Sequence, residues 1–305
     1  MRYLIIGGGG QLGSKILNRA LRGHEIYATY LTRKPTIEED RAIKLDKTNE
    51  KAVNNIMKKL TPDVIIDTAA LHSVDYCETN KEEAKKVNVI GTKNVAEACK
   101  KNGAKMVFIS TDYVFDGEKG NYTEDDPTNP INYYGTSKLE AETIVKNVCE
   151  DHIIARPSVI YSWIPSNQTQ SSSGKPLNFA MWLSQKLERG EPVNIVSDQY
   201  SSPTLADNLA DTLLVMCEKN ITGLYHVAGG TRLNRYEFSV KIAEKMGYDQ
   251  TFINPIETSQ LKQKARRPMD SSLRVEKIEK TLNIKIPTID EALDIFRKQA
   301  RDVNP

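Results

Sequence analysis

Long apolar runs are missing from this chain of 305 residues, and no segment approaches the length of a helix that crosses a bilayer. The N-terminal apolar run, Tyr3-Leu4-Ile5-Ile6, breaks into glycines too early for a signal peptide. Cysteine is scarce: Cys77, Cys99, Cys149 and Cys217 lie far apart and form no CxxC pair. In a cytosolic chain such cysteines are expected to be reduced and partly buried. The four histidines show no metal-ligand spacing, so no structural zinc or other metal site is predicted. Neither sign of charge is in excess: 42 Lys and Arg face 40 Asp and Glu, a net +2. That balance gives no reason to expect nucleic acid or an acidic membrane as partner. The expectation is a protein of the cytoplasm.

What is present is an ordinary globular composition, 39% hydrophobic and 27% charged, long enough for one large domain or two smaller ones. The most informative stretch is MRYLIIGGGGQLG. Its apolar run reads as a buried strand, and the residues after Gly10 read as the start of a helix. Gly7, Gly10 and Gly13 form a GxxGxxG spacing. The first glycine permits a tight turn, the second a close approach of backbone to a pyrophosphate, and the third close packing of helix on strand. The free N–H groups at the helix start, around Gln11 and Leu12, then face the phosphate anion. A glycine cluster alone also fits a plain turn; its place between strand and helix is what the dinucleotide fingerprint requires.

The first half alternates strand and helix. Strands are predicted at Tyr3–Ile6, Glu25–Thr29, Ala42–Leu45, Val64–Asp67, Lys105–Ser110 and His152–Arg156. Helices are predicted at Gln11–Leu21, Asn49–Leu60, Glu82–Lys101 and Asn132–Cys149. Val64-Ile65-Ile66 and Met106-Val107-Phe108-Ile109 are continuously apolar, as strands covered on both faces are. Repeated βα units imply an α/β fold, a Rossmann-type doubly wound parallel sheet with ligand beyond the carboxyl ends of the strands. Residues 1–156 read as a dinucleotide-binding domain. Residues 157–305 read as a smaller, mainly substrate-binding domain that returns some elements to the sheet. There the pattern predicts helices at Leu177–Arg189, Leu205–Cys217, Arg235–Met246 and Ile289–Arg301, and strands at Val193–Val196 and Gly223–Val227. Between the halves, Ser166–Lys175 is polar and rich in serine and glutamine. It reads as a mobile segment, either a surface linker or an active-site lid.

Tyr134 and Lys138 form a YxxxK pair within NYYGTSKLEAE. Positions four apart on a helix differ by only about 40° in direction, so both side chains can face one site. Tyr133 is about 140° from Lys138 and is the poorer candidate. A free tyrosine titrates near about 10, and a nearby ammonium would lower that value. The phenol then becomes a usable proton donor and acceptor. A second piece, Ser110-Thr111, follows an apolar strand at the end where ligands bind; a hydroxyl there can polarise a carbonyl. Taken alone, both hydroxyls equally fit a capping role. The second predicted strand runs into Tyr30-Leu31-Thr32-Arg33-Lys34 with no Asp or Glu for a ribose 2′-OH. Arg33 and Lys34 are instead available to a 2′-phosphate. NADPH is therefore the expected cofactor, with NADH still acceptable; Tyr30 and Arg33 are candidate contacts.

Glycine loop, strand-end hydroxyl and YxxxK, in this order, are the parts of an extended short-chain dehydrogenase/reductase. Within that superfamily the chain resembles the dTDP-4-dehydrorhamnose reductase family over nearly its whole length. The resemblance rests on GGGGQLG, PDVIIDTAALHSVDYCE, VNVIGTKNVAEACK, ISTDYVFDG, YGTSKLEAE, SDQYSSPTLADNLA and RRPMDSSL. It implies Thr111, Tyr134 and Lys138 as catalytic triad, with Tyr134 and Lys138 also on the cofactor. It implies Ala69 and Ala70 along the cofactor and Asp46 near the adenine. Val74, Asp75, Tyr113 and Gln199 would lie near a nucleotide-sugar substrate. A homodimer is compatible with it. The family usually has Asn-Ala-Ala-Ala-Tyr-Thr where this chain has Asp67-Thr68-Ala69-Ala70-Leu71-His72, and often a tryptophan where it has Val159. The segment Trp163–Pro176 is longer than expected. These departures are expected to touch the substrate side. The implied activity is NADPH-dependent reduction of a nucleotide-linked 4-ketosugar, dTDP-4-dehydro-L-rhamnose to dTDP-L-rhamnose. The alternative is a non-catalytic NADP-binding subunit similar to the regulatory subunit of methionine adenosyltransferase. A nucleotide-sugar 4-epimerase would need tightly held NAD, and the missing acid after the second strand speaks against it.

Overall fold

Alternating burial along β1 (Arg2–Ile6) sends Tyr3 and Ile5 to one face of a sheet and Leu4 and Ile6 to the other, all of them buried. The computed structural model describes residues 1–20, 23–164 and 178–303. Chain order continues α1 (Gln11–Ala20), β2 (Glu25–Tyr30), β3 (Ala42–Lys44), α2 (Glu50–Leu60), β4 (Val64–Asp67), α3 (Val74–Thr79) and α4 (Lys81–Ala84). A π-helical turn (Lys85–Ile90) leads into α5 (Gly91–Asn102), followed by β5 (Lys105–Ile109), α6 (Tyr133–Val148), β6 (His152–Arg156) and β7 (Ser158–Tyr161). Then come α7 (Phe179–Glu188), β8 (Val193–Val196), β9 (Tyr200–Ser201), β10 (Pro203–Leu205), α8 (Ala206–Glu218) and β11 (Gly223–His226). The described chain closes with β12 (Leu233–Asn234), α9 (Arg235–Met246), β13 (Ile253–Ile256), α10 (Glu276–Leu282) and α11 (Ile289–Val303).

The main sheet has the order β11-β6-β5-β4-β1-β2-β3, and every neighbouring pair is parallel. The order reverses between β1 and β4, so the loops after these two strands part and open a crevice at their carboxyl ends. One core cluster joins the sheet to α1 and α8 through Ile16, Leu17, Leu209 and Leu213. A second joins its other face to α2, α5 and α6 through Met57, Val95, Ala141 and Val145. Each such buried Leu, Ile, Val or Met side chain stabilises the fold by about 1.5–3 kcal/mol. A third cluster, with Tyr161, Phe238 and Phe296 in edge contact, holds the C-terminal half together. Strand β11 comes from that half and extends the main sheet beside β6.

The six predicted strands of the first half are all present, within a residue of the expected ends. The predicted helix at Glu82–Lys101 is instead broken by the π-helical turn, which shifts the register at Asn88. Helices α3 and α10 and strand β13 were not anticipated. Leu21 and the Ser166–Lys175 segment, expected as linker or lid, lie outside the described residues. Among the described residues no helix is long and apolar enough to cross a membrane. The four cysteines are free and buried.

Candidate active site

The glycine loop lies in the crevice beside β4. Gly7 has φ +85°, a conformation open to glycine. Its N–H and that of Gly8 donate to the Thr29 carbonyl at 3.2 and 2.9 Å. A Cβ on Gly13 would come within 2.3 Å of the Gly7 carbonyl oxygen, which is the close helix–strand packing the motif requires. A Cβ on Gly9 would likewise lie 2.1 Å from the Arg33 carbonyl oxygen, so the two backbones are in close contact. A Cβ on Gly10 would meet only the Gly7 oxygen, at 3.1 Å, so this position faces open space. Helix α1 begins there, with the first-turn N–H groups of Gln11 and Leu12 free of helical partners. The buried amide nitrogen of Gln11 also lacks a hydrogen-bond partner. A pyrophosphate fits this cradle.

The two basic residues after β2 have different partners. Lys34 forms an ion pair with Glu39, whereas the Arg33 guanidinium lies beside the Gly9 carbonyl, 3.5 Å away. Partial burial lowers the Arg33 pKa. Tyr30 ends β2, and the exposed Asp46 accepts from the Thr48 N–H at 2.9 Å. Ala69 and Ala70 follow β4, half-buried at the crevice. The Ala69 N–H donates to Asp67 Oδ1 at 3.2 Å, and the Ala69 carbonyl accepts from Lys47 Nζ at 2.6 Å. Asp67 is thus buried beneath the Ala69 peptide and paired with Lys47.

Thr111 leaves β5 in an extended conformation and caps the turn at Asp112–Val114 by accepting from the Tyr113 N–H at 3.2 Å. Its hydroxyl also lies 3.0 Å from Asp112 Oδ1. Asp112 is buried and accepts from the hydroxyls of Ser158 and Ser271 at 2.7 and 2.6 Å. Burial raises its pKa, and these hydroxyls act against that rise. Ser110 turns the other way, donating to Glu142 at 2.6 Å.

Helix α6 is brought to this turn by Gly135. A Cβ there would lie 2.0 Å from the Tyr113 carbonyl oxygen, so another side chain would push the helix away. Asn132 caps the helix by accepting from the Gly135 N–H at 2.9 Å, and Glu78 accepts from Tyr133 N–H at 2.9 Å. Tyr134 then stands over Tyr113, ring centroids 6.1 Å apart, with Thr111 acting on its phenol. Tyr133 turns instead toward Lys81, 5.5 Å from its ring. Lys138 is 2% exposed, with Nζ 4.0 Å from the centroid of Phe108. Burial, followed by the like charge of Lys47, pushes its pKa down to about 7. Burial pushes the Tyr134 phenol upward. The expected lowering of Tyr134 by the ammonium is not seen, because desolvation dominates both groups. A protonated phenol at neutral pH is the form that donates a proton.

Three supporting residues were not singled out from the sequence. Asn88, on the π-helical turn, bonds the Leu71 N–H and carbonyl at 2.8 and 3.0 Å and the Ser137 hydroxyl at 3.1 Å. Ser137 donates to the Tyr134 carbonyl at 2.8 Å, so the β4 loop is tied to the catalytic helix. Arg156 grips Glu142 with bonds of 2.8 and 2.7 Å, fixing α6 to β6. A buried ion pair in the middle of a helix gives no periodic signal.

Of the residues expected near the substrate, Val74 begins α3 and Asp75 accepts from the Ala265 N–H and the Arg267 guanidinium, both at 3.0 Å. Arg235, at the start of α9, stacks 4.8 Å from the Phe179 centroid. Its Nη1 is buried without a partner, and it feels Tyr113, Asp112 and Arg267. Arg235 and Arg267 therefore give this side a cationic wall that was not anticipated. The Gln199 side-chain amide donates to the Thr258 hydroxyl at 2.9 Å, and the Gln199 main-chain carbonyl accepts from the Arg235 N–H at 3.1 Å. Val159, where a tryptophan was expected, has φ +43°, a strained setting for a β-branched residue.

Known proteins share this architecture. A relative from Haloferax volcanii, a probable low-salt glycan biosynthesis reductase Agl14, is 33% identical, covering 96% of each chain. A dTDP-4-dehydrorhamnose reductase of Aggregatibacter actinomycetemcomitans is 31% identical over 98% of this chain and 99% of its own. The crystal structure of dTDP-4-dehydrorhamnose reductase from Bacillus anthracis in complex with NADP superposes with a TM-score of 0.85 at 29% identity, covering 97% and 98% of the two chains. The family model described as the RmlD substrate binding domain matches residues 1–301, and the chain belongs to that family.

Proposed function

We propose that this chain is a reductase that uses NADPH to convert the 4-keto group of dTDP-4-dehydro-L-rhamnose to the hydroxyl of dTDP-L-rhamnose. The observation that carries the reading is that Thr111 follows β5 and acts on the Tyr134 phenol, with Lys138 buried one turn further along the same helix. The names of the three relatives above support it: all are named as reductases, one of them as a probable glycan biosynthesis reductase. Residues 1–156 would hold the cofactor and residues 157–305 mainly the sugar nucleotide.

When bound, NADPH supplies hydride to the carbonyl carbon. The Thr111 hydroxyl hydrogen-bonds the carbonyl oxygen and polarises it. Tyr134 gives its proton to that oxygen as the alcohol forms. Lys138 holds the nicotinamide ribose and stabilises the phenolate left behind. Gly7, Gly10, Gln11 and Leu12 receive the pyrophosphate. Arg33 meets the 2′-phosphate, while NADH remains an acceptable second cofactor. Asp46 and Tyr30 would lie toward the adenine, and Ala69 and Ala70 would line the cofactor. Arg235 and Arg267 meet the diphosphate of the substrate, with Val74, Asp75, Tyr113 and Gln199 around the sugar. The intact triad weighs against a non-catalytic regulatory subunit. We place the reaction in the cytoplasm, with the nucleotide sugar as its partner.

The test is oxidation of NADPH, followed at its nicotinamide absorbance, with dTDP-4-dehydrorhamnose and with other nucleotide 4-ketosugars. Oxidation coupled to formation of dTDP-rhamnose supports the reading. Binding of NADPH without oxidation by any of these sugars overturns it.

A further inference from the structure

Lys47 is buried to within 5% of its surface, in the segment LDKTN after β3. A lone lysine is rarely placed there, because burying an ammonium is costly unless it is paired and hydrogen-bonded. Here it has three partners: Asp67 Oδ2 at 2.8 Å, the Ala69 carbonyl at 2.6 Å and Thr92 Oγ1 at 3.3 Å. Its aliphatic stem crosses Gly91, where a Cβ would come within 2.8 Å of Lys47 Cγ. The other oxygen of Asp67 accepts from the Ala69 N–H at 3.2 Å. One ion pair therefore holds both backbone polar groups of Ala69.

The same pair lies beside Lys138: Asp67 pairs in register with Phe108 of β5, and Lys138 Nζ stands 4.0 Å from the Phe108 ring centroid. The charged groups that act on Lys138 are Lys47, from the segment after β3, Asp67, from the end of β4, and Glu142, one turn along its own helix. Glu142 is already neutralised by Arg156. Lys47 and Asp67 act in opposite senses, and the lysine is the stronger of the two.

We propose that the Lys47–Asp67 ion pair is a positioning device of the reductase site, fixing the Ala69 peptide against the dinucleotide and holding its two charges beside Lys138. The proposal rests on the reading above that Ala69 lines the cofactor and Lys138 acts in the reaction. A buried ion pair is weak evidence of stabilisation by itself, because its desolvation offsets its attraction. Its hold on both polar groups of one peptide at the crevice, with Lys138 close by, is what assigns it a role.

Two variants separate this role from a structural one. Asp67→Asn keeps the size of the side chain and leaves the Lys47 charge. Lys47→Met with Asp67→Asn removes both charges and leaves no buried ion unpaired. The titration midpoint of Lys138 is read by NMR of ¹³C-labelled lysine side chains, assigned with Lys138→Met. NADPH affinity is read by fluorescence titration. Neither needs turnover, so failure to reduce a given sugar bears on the proposed reaction alone. The expected result is a Lys138 midpoint lowered by about one pH unit in Asp67→Asn. In the double variant it rises, and NADPH binds about tenfold more weakly, the worth of one lost hydrogen bond to a charged group. A midpoint that stays in place, or moves the same way in both variants, overturns the electrostatic role. Unchanged NADPH affinity in the double variant overturns the positioning role. If Asp67→Asn does not fold, the sign of the shift in the double variant decides.

Discussion

The hydroxyl of Ser110 donates to Oε1 of Glu142 at 2.6 Å, which removes it from the site that its neighbour Thr111 faces. Two adjacent hydroxyls therefore have separable roles. Ser110→Ala should lower stability by about 1.5–3 kcal/mol, as for a hydrogen bond to a charged group, and leave kcat close to its original value. Thr111→Val should lower kcat by about tenfold or more, at a stability cost of about 1 kcal/mol for the lost cap. Urea unfolding and steady-state turnover of the two variants check the pair.

The second prediction concerns the cofactor. Lys34 is paired with Glu39, and Arg33 lies by the glycine loop. Arg33→Ala should weaken NADPH binding by about tenfold or more and leave NADH nearly unchanged. Lys34→Ala should have the smaller effect. Dissociation constants for both nucleotides at one fixed salt concentration provide the check, because phosphate contacts are screened by salt. Equal losses for NADPH and NADH in Arg33→Ala would contradict the assignment.

The third prediction has opposite signs for stability and binding. Burial brings Lys138 to about 7, against 10.5 for an ordinary lysine. Between those values the unfolded chain carries a proton that the folded chain lacks, so this residue makes stability rise with pH across that window. Below about 7 both states are protonated, and its contribution is flat and least favourable. Lys138→Met should therefore be more stable than the original chain at neutral pH and should lose that slope, as measured by denaturant unfolding from pH 6 to 10. NADPH affinity of the original chain should fall over the same range as the ammonium is lost.

These residues were unevenly legible in the sequence. The strands of the first half are continuous apolar runs closed by turn residues, a local signal. The choice of Tyr134 over Tyr133 needed only the helical period. Strand β13, Ile253-Asn254-Pro255-Ile256, holds a proline and pairs with one neighbour, so it lacks a strand's usual signature. Helix α3, at six residues, is too short for periodicity to show. Lys47 reads as a solvated lysine until the fold brings Asp67, twenty residues on, to its ammonium. Arg235 was legible only as the first residue of a helix, because its neighbours Tyr113 and Asp112 come from another strand end. Non-local pairs of this kind leave no periodic trace.

The fourth prediction concerns the cationic wall. Arg267 is held to Asp75 at 3.0 Å and carries the 265–267 segment with it. Arg267→Ala should raise KM for the nucleotide sugar by about tenfold or more while NADPH affinity is retained. Asp75→Asn should have a smaller effect in the same direction. A loss confined to NADPH binding would place Arg267 on the wrong side of the site.

The central claim is that Tyr134 is the proton donor of a 4-ketosugar reductase, and Tyr134→Phe tests it most directly. The substitution removes one hydroxyl and keeps the ring against Tyr113. NADPH oxidation with dTDP-4-dehydrorhamnose should fall by about 10²–10⁴-fold, the usual worth of a positioned acid, with the NADPH dissociation constant little changed. A variant that turns over at the original rate would contradict the account.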